Sequence, residues 1–364
     1  MEILNLVAVY WPFIAVFLSC LVLKYSCDLF EQSAGYLGRN MPAGIKGATV
    51  NAVGSSMPEM ASAFALLFFF NDPALFAIAL GITAGSGVFN TAVIPSIAIL
   101  FARNSDGTKV DHIELDKSNL IRDVFWVVLS DVVLIAMIFA GYINMWMAIG
   151  LNLIYVGYAI HLYIDAKRTN HNEVEEYEDE QLDDCGFVGN ILTFNFNKLI
   201  FGGKVLNGRS AIVLLAIAII IIIGGSHVLV EGVIGSADIL GIPGFISGLI
   251  LGAAASSIPD LILSLKDSRK GEYEDAVANP LASNTFDTSI SVGLPLLAWF
   301  LWTGESNIDI VGENMEALRI SVVGMSLAIG LALISKYKKV TKKHAYFNLA
   351  LYTAWCTWIA YTFM

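Results

Sequence analysis

The sequence predicts an all-α polytopic membrane protein of ten transmembrane helices in two inverted five-helix repeats. Three observations predict it: a charge-poor, apolar composition, ten apolar runs of bilayer-spanning length, and basic residues confined to alternate connections. Of 364 residues, 56% are hydrophobic and 15% charged, against about 25% charged in soluble domains. The mean hydropathy of +0.68 agrees. Membrane lipid is therefore the first partner. The net charge of −11 sits largely in one segment and speaks against nucleic acid, whose phosphates require a basic face. Cys20, Cys27, Cys185 and Cys356 lack metal-ligand or disulfide-framework spacing and read as small apolar packers. The N-terminus has no basic n-region or small-residue cleavage site, so the first apolar run reads as an uncleaved span.

Crossing the hydrocarbon takes about 20 apolar residues. Runs of that kind predict spans at 7–28, 43–70, 74–102, 121–141, 145–165, 209–233, 243–266, 273–302, 317–336 and 345–363. The connections test this division. Arg39 and Lys46 follow the first span, none the second, and Arg103, Lys109, Lys117 and Arg122 the third. The connection near Asn144 has none, the central segment has Lys167, Arg168, Lys198, Lys204 and Arg209, and 234–242 has none. Lys266, Arg269 and Lys270 come next, 303–316 has none, and Lys336, Lys338, Lys339, Lys342 and Lys343 close the series. Basic connections face the cytoplasm, which predicts a multi-pass plasma or inner membrane protein with both termini outside. Five spans per half make the halves enter from opposite sides, so 1–165 and 209–364 are inverted repeats. The linker 166–208 is cytoplasmic. Its run Glu173–Asp184 carries eight carboxylates in twelve residues, read as a solvated tether, with a low-affinity cation sensor as the sharper alternative.

A carboxylate inside an apolar span is costly and marks an ion path by default. Two stretches share one pattern. Gly54-Ser55-Ser56-Met57-Pro58-Glu59 and Ala255-Ser256-Ser257-Ile258-Pro259-Asp260 both read small-Ser-Ser-apolar-Pro-acid, mid-way along the second span of each half. One span later come Ser86-Gly87-Val88-Phe89-Asn90 and Ser283-Asn284-Thr285-Phe286-Asp287. Each places a serine four residues before an amide or acid, on one helix face.

The chemistry of these residues is oxygen chemistry. Hard cations take carboxylate, hydroxyl and carbonyl oxygens. Pro58 and Pro259 lack an N–H and clash with the preceding turn, so each breaks its helix at mid-bilayer and frees carbonyls near Ala52 and Ala253. Irregular backbone at that depth is tolerated where it lines a cavity. The serine pair before each proline is expected to cap the new half-helix. Glu59, Asp260 and Asp287 together give a site of charge about −3, suited to one divalent or several monovalent ions. No His or Cys joins them, which disfavours zinc or copper. No organic cofactor and no obligatory protein partner is expected.

These motifs resemble the α-repeats of the cation/calcium exchanger superfamily, most of all those of the potassium-dependent sodium/calcium exchangers. Gly54 to Glu59 is similar to their Gly-Thr-Ser-x-Pro-Glu, and Ser256 to Asp260 to their Thr-Ser-Ile-Pro-Asp. Gly85-Ser86-Gly87-Val88-Phe89-Asn90 and Ser283 to Asp287 resemble Gly-Ser-Ala-Val-Phe-Asn and Ser-Asn-Val-Phe-Asp. Leu120-Ile121-Arg122-Asp123 and Cys27-Asp28 also look familiar. The resemblance implies a sodium/calcium exchanger fold that transports Ca2+ and Na+, with K+ as a further candidate. It makes Glu59 and Asp260 the central calcium ligands shared with sodium. Ser56, Ser257, Ser86 and Ser283 become sodium-site hydroxyls, Asn90 and Asp287 complete the ring, and the acid at Asp287 is the feature associated with potassium co-transport. The chain departs from the pattern at Ser55 and Ser256, where relatives have Thr, and at Ala255, Ala282 and Gly87.

Two other ion readings stay open: protons in place of sodium, and another divalent ion such as magnesium in place of calcium. A channel is a further option. An intramembrane serine protease, with Ser86 as nucleophile and His227 nearby in an apolar run, is a remote one, since nothing in the sequence places a base at Ser86. Asp28, Glu31 and Glu231 read as interfacial or as vestibule residues. Asp131, inside the fourth span, either pairs with a polar helix face or tunes the site. Trp11, Trp126, Trp146 and Trp302 read as interface anchors.

Overall fold

A computed structural model of the chain describes residues 2–39, 52–72, 75–104, 106–115, 117–168, 186–309 and 339–363, with Val50 and Gly324 besides. Among these, six helices are long and apolar enough to cross a membrane: Tyr10–Leu37, Phe76–Phe101, Asn119–Ala140, Met145–Asp165, Gly208–Leu240 and Gly244–Lys270. Shorter or more polar helices stand at Met57–Phe64, Tyr273–Phe286, Val292–Thr303 and Lys342–Phe363. The expected ninth span, 317–336, and the acidic run Glu173–Asp184 lie outside the described residues, except for Gly324.

The first helix runs Glu2–Leu37, well past the expected 7–28. Asp28 does not end it, because Lys24 one turn earlier pairs with it at 2.9 Å. Phe76–Phe101 lies at the centre of the molecule, with 94% of its most apolar window buried. It crosses the Gly244–Gly252 stretch at very close range. A Cβ on Gly81 would lie 2.4 Å from the Phe245 carbonyl oxygen, and one on Gly85 would lie 2.0 Å from that of Leu249. Only glycine permits this approach, the device by which membrane helices gain contact area. On the flank, Glu2–Leu37 and Gly208–Leu240 pack along each other. Gly225, Gly232 and Gly235 of the latter meet Val22, Val16 and Pro12 of the former.

Two short antiparallel ribbons were not expected. His112–Glu114 pairs with Lys339–Thr341, and Tyr142–Asn144 pairs with Asn307–Asp309. The first joins the third and ninth connections, both basic. The second joins the fourth and eighth, both without basic residues. The third connection also meets the seventh: Tyr273 Oη donates to the Arg103 carbonyl at 2.8 Å, and the Arg103 N–H donates to that of Ser268 at 3.1 Å. Connections of like charge character thus share one end of the molecule.

Candidate cation site

Both Ser-Ser-apolar-Pro-acid stretches fold as a broken helix, and the two breaks share one geometry. Ala52–Ser55 stops at Ser56 (φ −93°, ψ 2°) and helix resumes at Met57. Ala253–Ser256 stops at Ser257 (φ −85°, ψ 4°) and helix resumes at Ile258. Each proline takes an early position of the new helix, where its missing N–H costs nothing. Glu59 and Asp260 fall in the first turns of these half-helices, where the helix dipole favours negative charge. Ser86 lies on Phe76–Val88, with Asn90 in the π-turn Phe89–Val93. Ser283 lies on Tyr273–Phe286, and Asp287 opens the π-turn Asp287–Ser291. Such turns add a residue to the helix and recur at functional sites.

The close glycine crossing carries Ser86 to Ser257, and the two hydroxyls lie 2.8 Å apart. Ser86 Oγ also stands 3.3 Å from Glu59 Oε1 and 3.0 Å from Asp287 Oδ2. Ser283 Oγ donates to Asp260 Oδ1 at 2.8 Å, as Ser86 does to Glu59 in the other half, and lies 3.3 Å from Ser55 Oγ. Asn90 Nδ2 reaches Ser86 Oγ at 3.4 Å and Asp260 Oδ2 at 3.5 Å. The breaks also exchange serines: Ser55 serves Asp260, Ser256 serves Glu59, and Ser56 stands beside Asp287. The charges of Glu59, Asp260 and Asp287 are close enough to interact.

All twelve predicted residues are buried, none more than 1% exposed. Among the described residues, Glu59 Oε2, Asn90 Oδ1 and Asp287 Oδ1 have no hydrogen-bond partner. Buried acceptors are normally satisfied, so three unsatisfied ones in a single cluster have lone pairs to offer a positive ligand. No three His, Cys, Asp or Glu side chains among the described residues converge closely enough to hold a metal by themselves. Serine hydroxyls stand between the carboxylates.

Two local expectations are corrected. Ser56 and Ser257 make no side-chain cap bond; Ser257 turns its hydroxyl to Ser86 instead. The Ala52 and Ala253 carbonyls are not freed: each accepts the N–H of Ser56 or Ser257, both at 3.1 Å, and the hydroxyl of Ser55 or Ser256. The break falls after that hydrogen bond rather than before it, because a proline clashes only with the preceding turn.

Outside the chamber, Arg122 binds the buried Asp123 through Nε at 2.9 Å and reaches Asp165 at 3.5 Å. Asp28 pairs with Lys24 and, at 3.7 Å, with Lys266. Glu31 lies over Gly54, where a Cβ would meet its Cγ at 2.9 Å. Glu231 pairs with His227, which rests against Phe69 and Phe70, so His227 is not the base of Ser86. Asp131 is buried, 5% exposed. Trp11, Trp146 and Trp302 are exposed as anchors should be, but Trp126 is partly buried and donates to His161 Nδ1 at 2.9 Å. The sequence reading did not foresee the close crossing at Gly81, Gly85, Gly248 and Gly252. Their four-residue spacing on two adjacent spans was the available signal.

Fold and chamber together define a polytopic membrane protein with a buried, anionic, hydroxyl-rich site between two proline-broken helices. The family model for sodium/calcium exchanger protein matches residues 11–164 and 210–361, and the chain belongs to that family. It is 35% identical over 105 residues to sodium/potassium/calcium exchanger 3 of Rattus norvegicus, a match covering 29% of this chain and 15% of that protein. It is 26% identical over 280 residues to the inner membrane protein YrbG of Escherichia coli strain K12, covering 76% of this chain and 77% of that one. The matched region thus spans only a small part of the curated animal exchangers. Among solved structures, the H+/Ca2+ exchanger CAX aligns over 94% of this chain and 81% of its own, with a TM-score of 0.66 at 15% identity. The sodium-calcium exchanger NCX_Mj aligns over 95% and 98%, with a TM-score of 0.54 at 21% identity. These two likenesses concern the fold.

Proposed function

We propose that this protein is a secondary active antiporter that exchanges sodium for calcium by alternating access. One observation carries the reading: Glu59 and Asp260, one from each broken-helix motif, share a buried cluster with Asp287, serine hydroxyls and unsatisfied acceptor oxygens. Membership of the exchanger family supports it. A chamber of charge about −3 pays for desolvating a cation only when filled, since an uncompensated buried charge is expensive. Calcium and sodium then compete for the same oxygens, and the chamber changes sides when its charge is neutralised. The pair Glu2–Leu37 and Gly208–Leu240 moves against the rest. Asp287, standing where the other half has Asn90, gives potassium a place beside calcium, as the names of the sodium/potassium/calcium exchangers suggest. Residues 1–165 and 209–364 form the two inverted repeats. The end carrying the basic connections and the 166–208 linker is cytoplasmic, and both termini lie outside a cell membrane.

The test is calcium uptake into proteoliposomes under sodium gradients of either sign, with and without potassium, and under proton gradients separately. Sodium-driven uptake that reverses with the gradient and vanishes in Glu59→Gln and Asp260→Asn is expected. Normal flux in either variant overturns the ligand assignment. Uptake driven by protons but not sodium would replace the coupling ion, and a magnesium preference the substrate.

A further inference from the structure

Just before the Gly208–Leu240 helix, two short helices, Gly186–Leu192 and Phe196–Phe201, form a hairpin with inverted burial. Its polar residues point inward: Asn190, Asn195 and Asn197 are only 3–4% exposed. Several large apolar residues point outward on the other side, with Val205 just beyond the second helix: Phe187 73%, Val188 67%, Leu192 67%, Ile200 51% and Val205 68% exposed. Contiguous apolar surface of this kind marks a partner or membrane face. We propose that 186–205 is an interfacial element whose outer face lies in the bilayer, at the surface that carries the basic connections. The proposal does not depend on which ions the chamber takes.

Three features select lipid as the occupant. The first is continuity. The hairpin runs into Asn207, whose side chain caps the membrane-spanning Gly208–Leu240 helix through the N–H groups of Arg209 and Ser210 at 3.0 and 3.1 Å. The hairpin therefore leaves at the depth where that helix begins. The second is its seat. Phe194 stacks on Phe196 and meets Tyr25 of the first helix edge-on at 6.4 Å between ring centroids, and Phe196 and Phe201 pack on the membrane core. One side is fixed to the transmembrane body, so the other faces outward at the same level. The third is charge. Lys204 and Arg209 are exposed beside Val205, where a chain leaving an acyl layer meets headgroups. Apolar residues below and basic residues at the rim are the pattern of interfacial helices, and they favour anionic lipid. The first helix, seated against Phe194, also belongs to the flanking pair, so lipid composition acts on that pair through the hairpin.

The test places a bimane label on Val188→Cys or Ile200→Cys, in a chain whose native cysteines are replaced and whose flux is checked, reconstituted with phosphatidylglycerol. Brominated acyl chains should quench these labels at least about twofold more than a label on the exposed loop position Asp106→Cys, and aqueous iodide less, as for an interfacial helix. If the cysteine-free chain misfolds, the unmodified chain in vesicles of diazirine-bearing phosphatidylglycerol should crosslink within 186–205. Iodide quenching equal to that at Asp106→Cys, no lipid crosslink in that segment, or a Val188→Cys disulfide between two copies would overturn the proposal.

Discussion

The glycine crossing makes a quantitative prediction. In Gly85→Ala, the new methyl would stand 2.0 Å from the Leu249 carbonyl oxygen and 2.6 Å from Ala253 Cβ, where ordinary contact begins near 3.4 Å. Backbone carbonyls cannot swing away, so the two helices must part by roughly 1.4 Å, at an overpacking cost of about 1–3 kcal/mol. The same displacement carries Ser86, the next residue, from 2.8 Å to beyond hydrogen-bonding reach of Ser257. If that cost falls on the ion-loaded geometry, apparent calcium affinity drops about 5- to 150-fold. Gly150→Ala is the control: nothing lies within 4 Å of its Cβ position. The assay is calcium uptake against calcium concentration in proteoliposomes, with elution profile and melting temperature checking the fold. A correctly folded Gly85→Ala with the affinity of Gly150→Ala would refute the claim that this crossing sets the chamber.

Other consequences can be checked separately. Asp287→Asn removes one of three interacting carboxylates and should preserve sodium-driven calcium flux while abolishing its response to potassium; an unchanged potassium response would detach Asp287 from that role. Arg122→Ala leaves Asp123, 2% exposed, without its bidentate partner, a loss of about 3–5 kcal/mol for a broken buried pair. Its melting temperature in detergent should fall well below that of the Arg122→Ala/Asp123→Asn double variant. A membrane-impermeant thiol reagent should label Ser306→Cys from outside intact cells and reach Asp106→Cys only after permeabilisation; the reverse pattern would invert the topology.

The breaks were legible because proline acts through covalent structure: it removes a donor and crowds the turn before it, wherever it stands. The buried carboxylates were legible because their cost at bilayer depth leaves few other reasons for Glu59 and Asp260. What those rules do not specify was misread. Whether Ser56 caps its own helix or turns to another element depends on what tertiary packing brings near, and in the other half packing brought Ser86 to Ser257. The ribbons at His112–Glu114 and Tyr142–Asn144 escaped because three-residue strands have no periodicity and pair with segments some 160 or more positions away. The first helix outruns the expected 7–28 because that span was drawn as an apolar run of bilayer-crossing length, whereas the i, i+4 partner of Asp28 lets the helix continue.

The two ribbons have a mechanical consequence. One ties the start of the Lys117–Ala140 helix to Lys339–Thr341, and the other ties its far end to Asn307–Asp309. A helix tied at both ends in this way is the natural fixed frame. Among the described residues, Glu2–Leu37 and Gly208–Leu240 carry no such ribbon. Among the same residues their side-chain polar ties to the frame include the 3.7 Å Asp28–Lys266 pair, the 3.3 Å bond from Ser226 to the Pro58 carbonyl and the 2.8 Å bond from Ser247 to the Val233 carbonyl. The rest of the contact is apolar packing, which can slide where a hydrogen-bonded ribbon cannot. In the exchange proposed above, the part that moves is the part left unsewn.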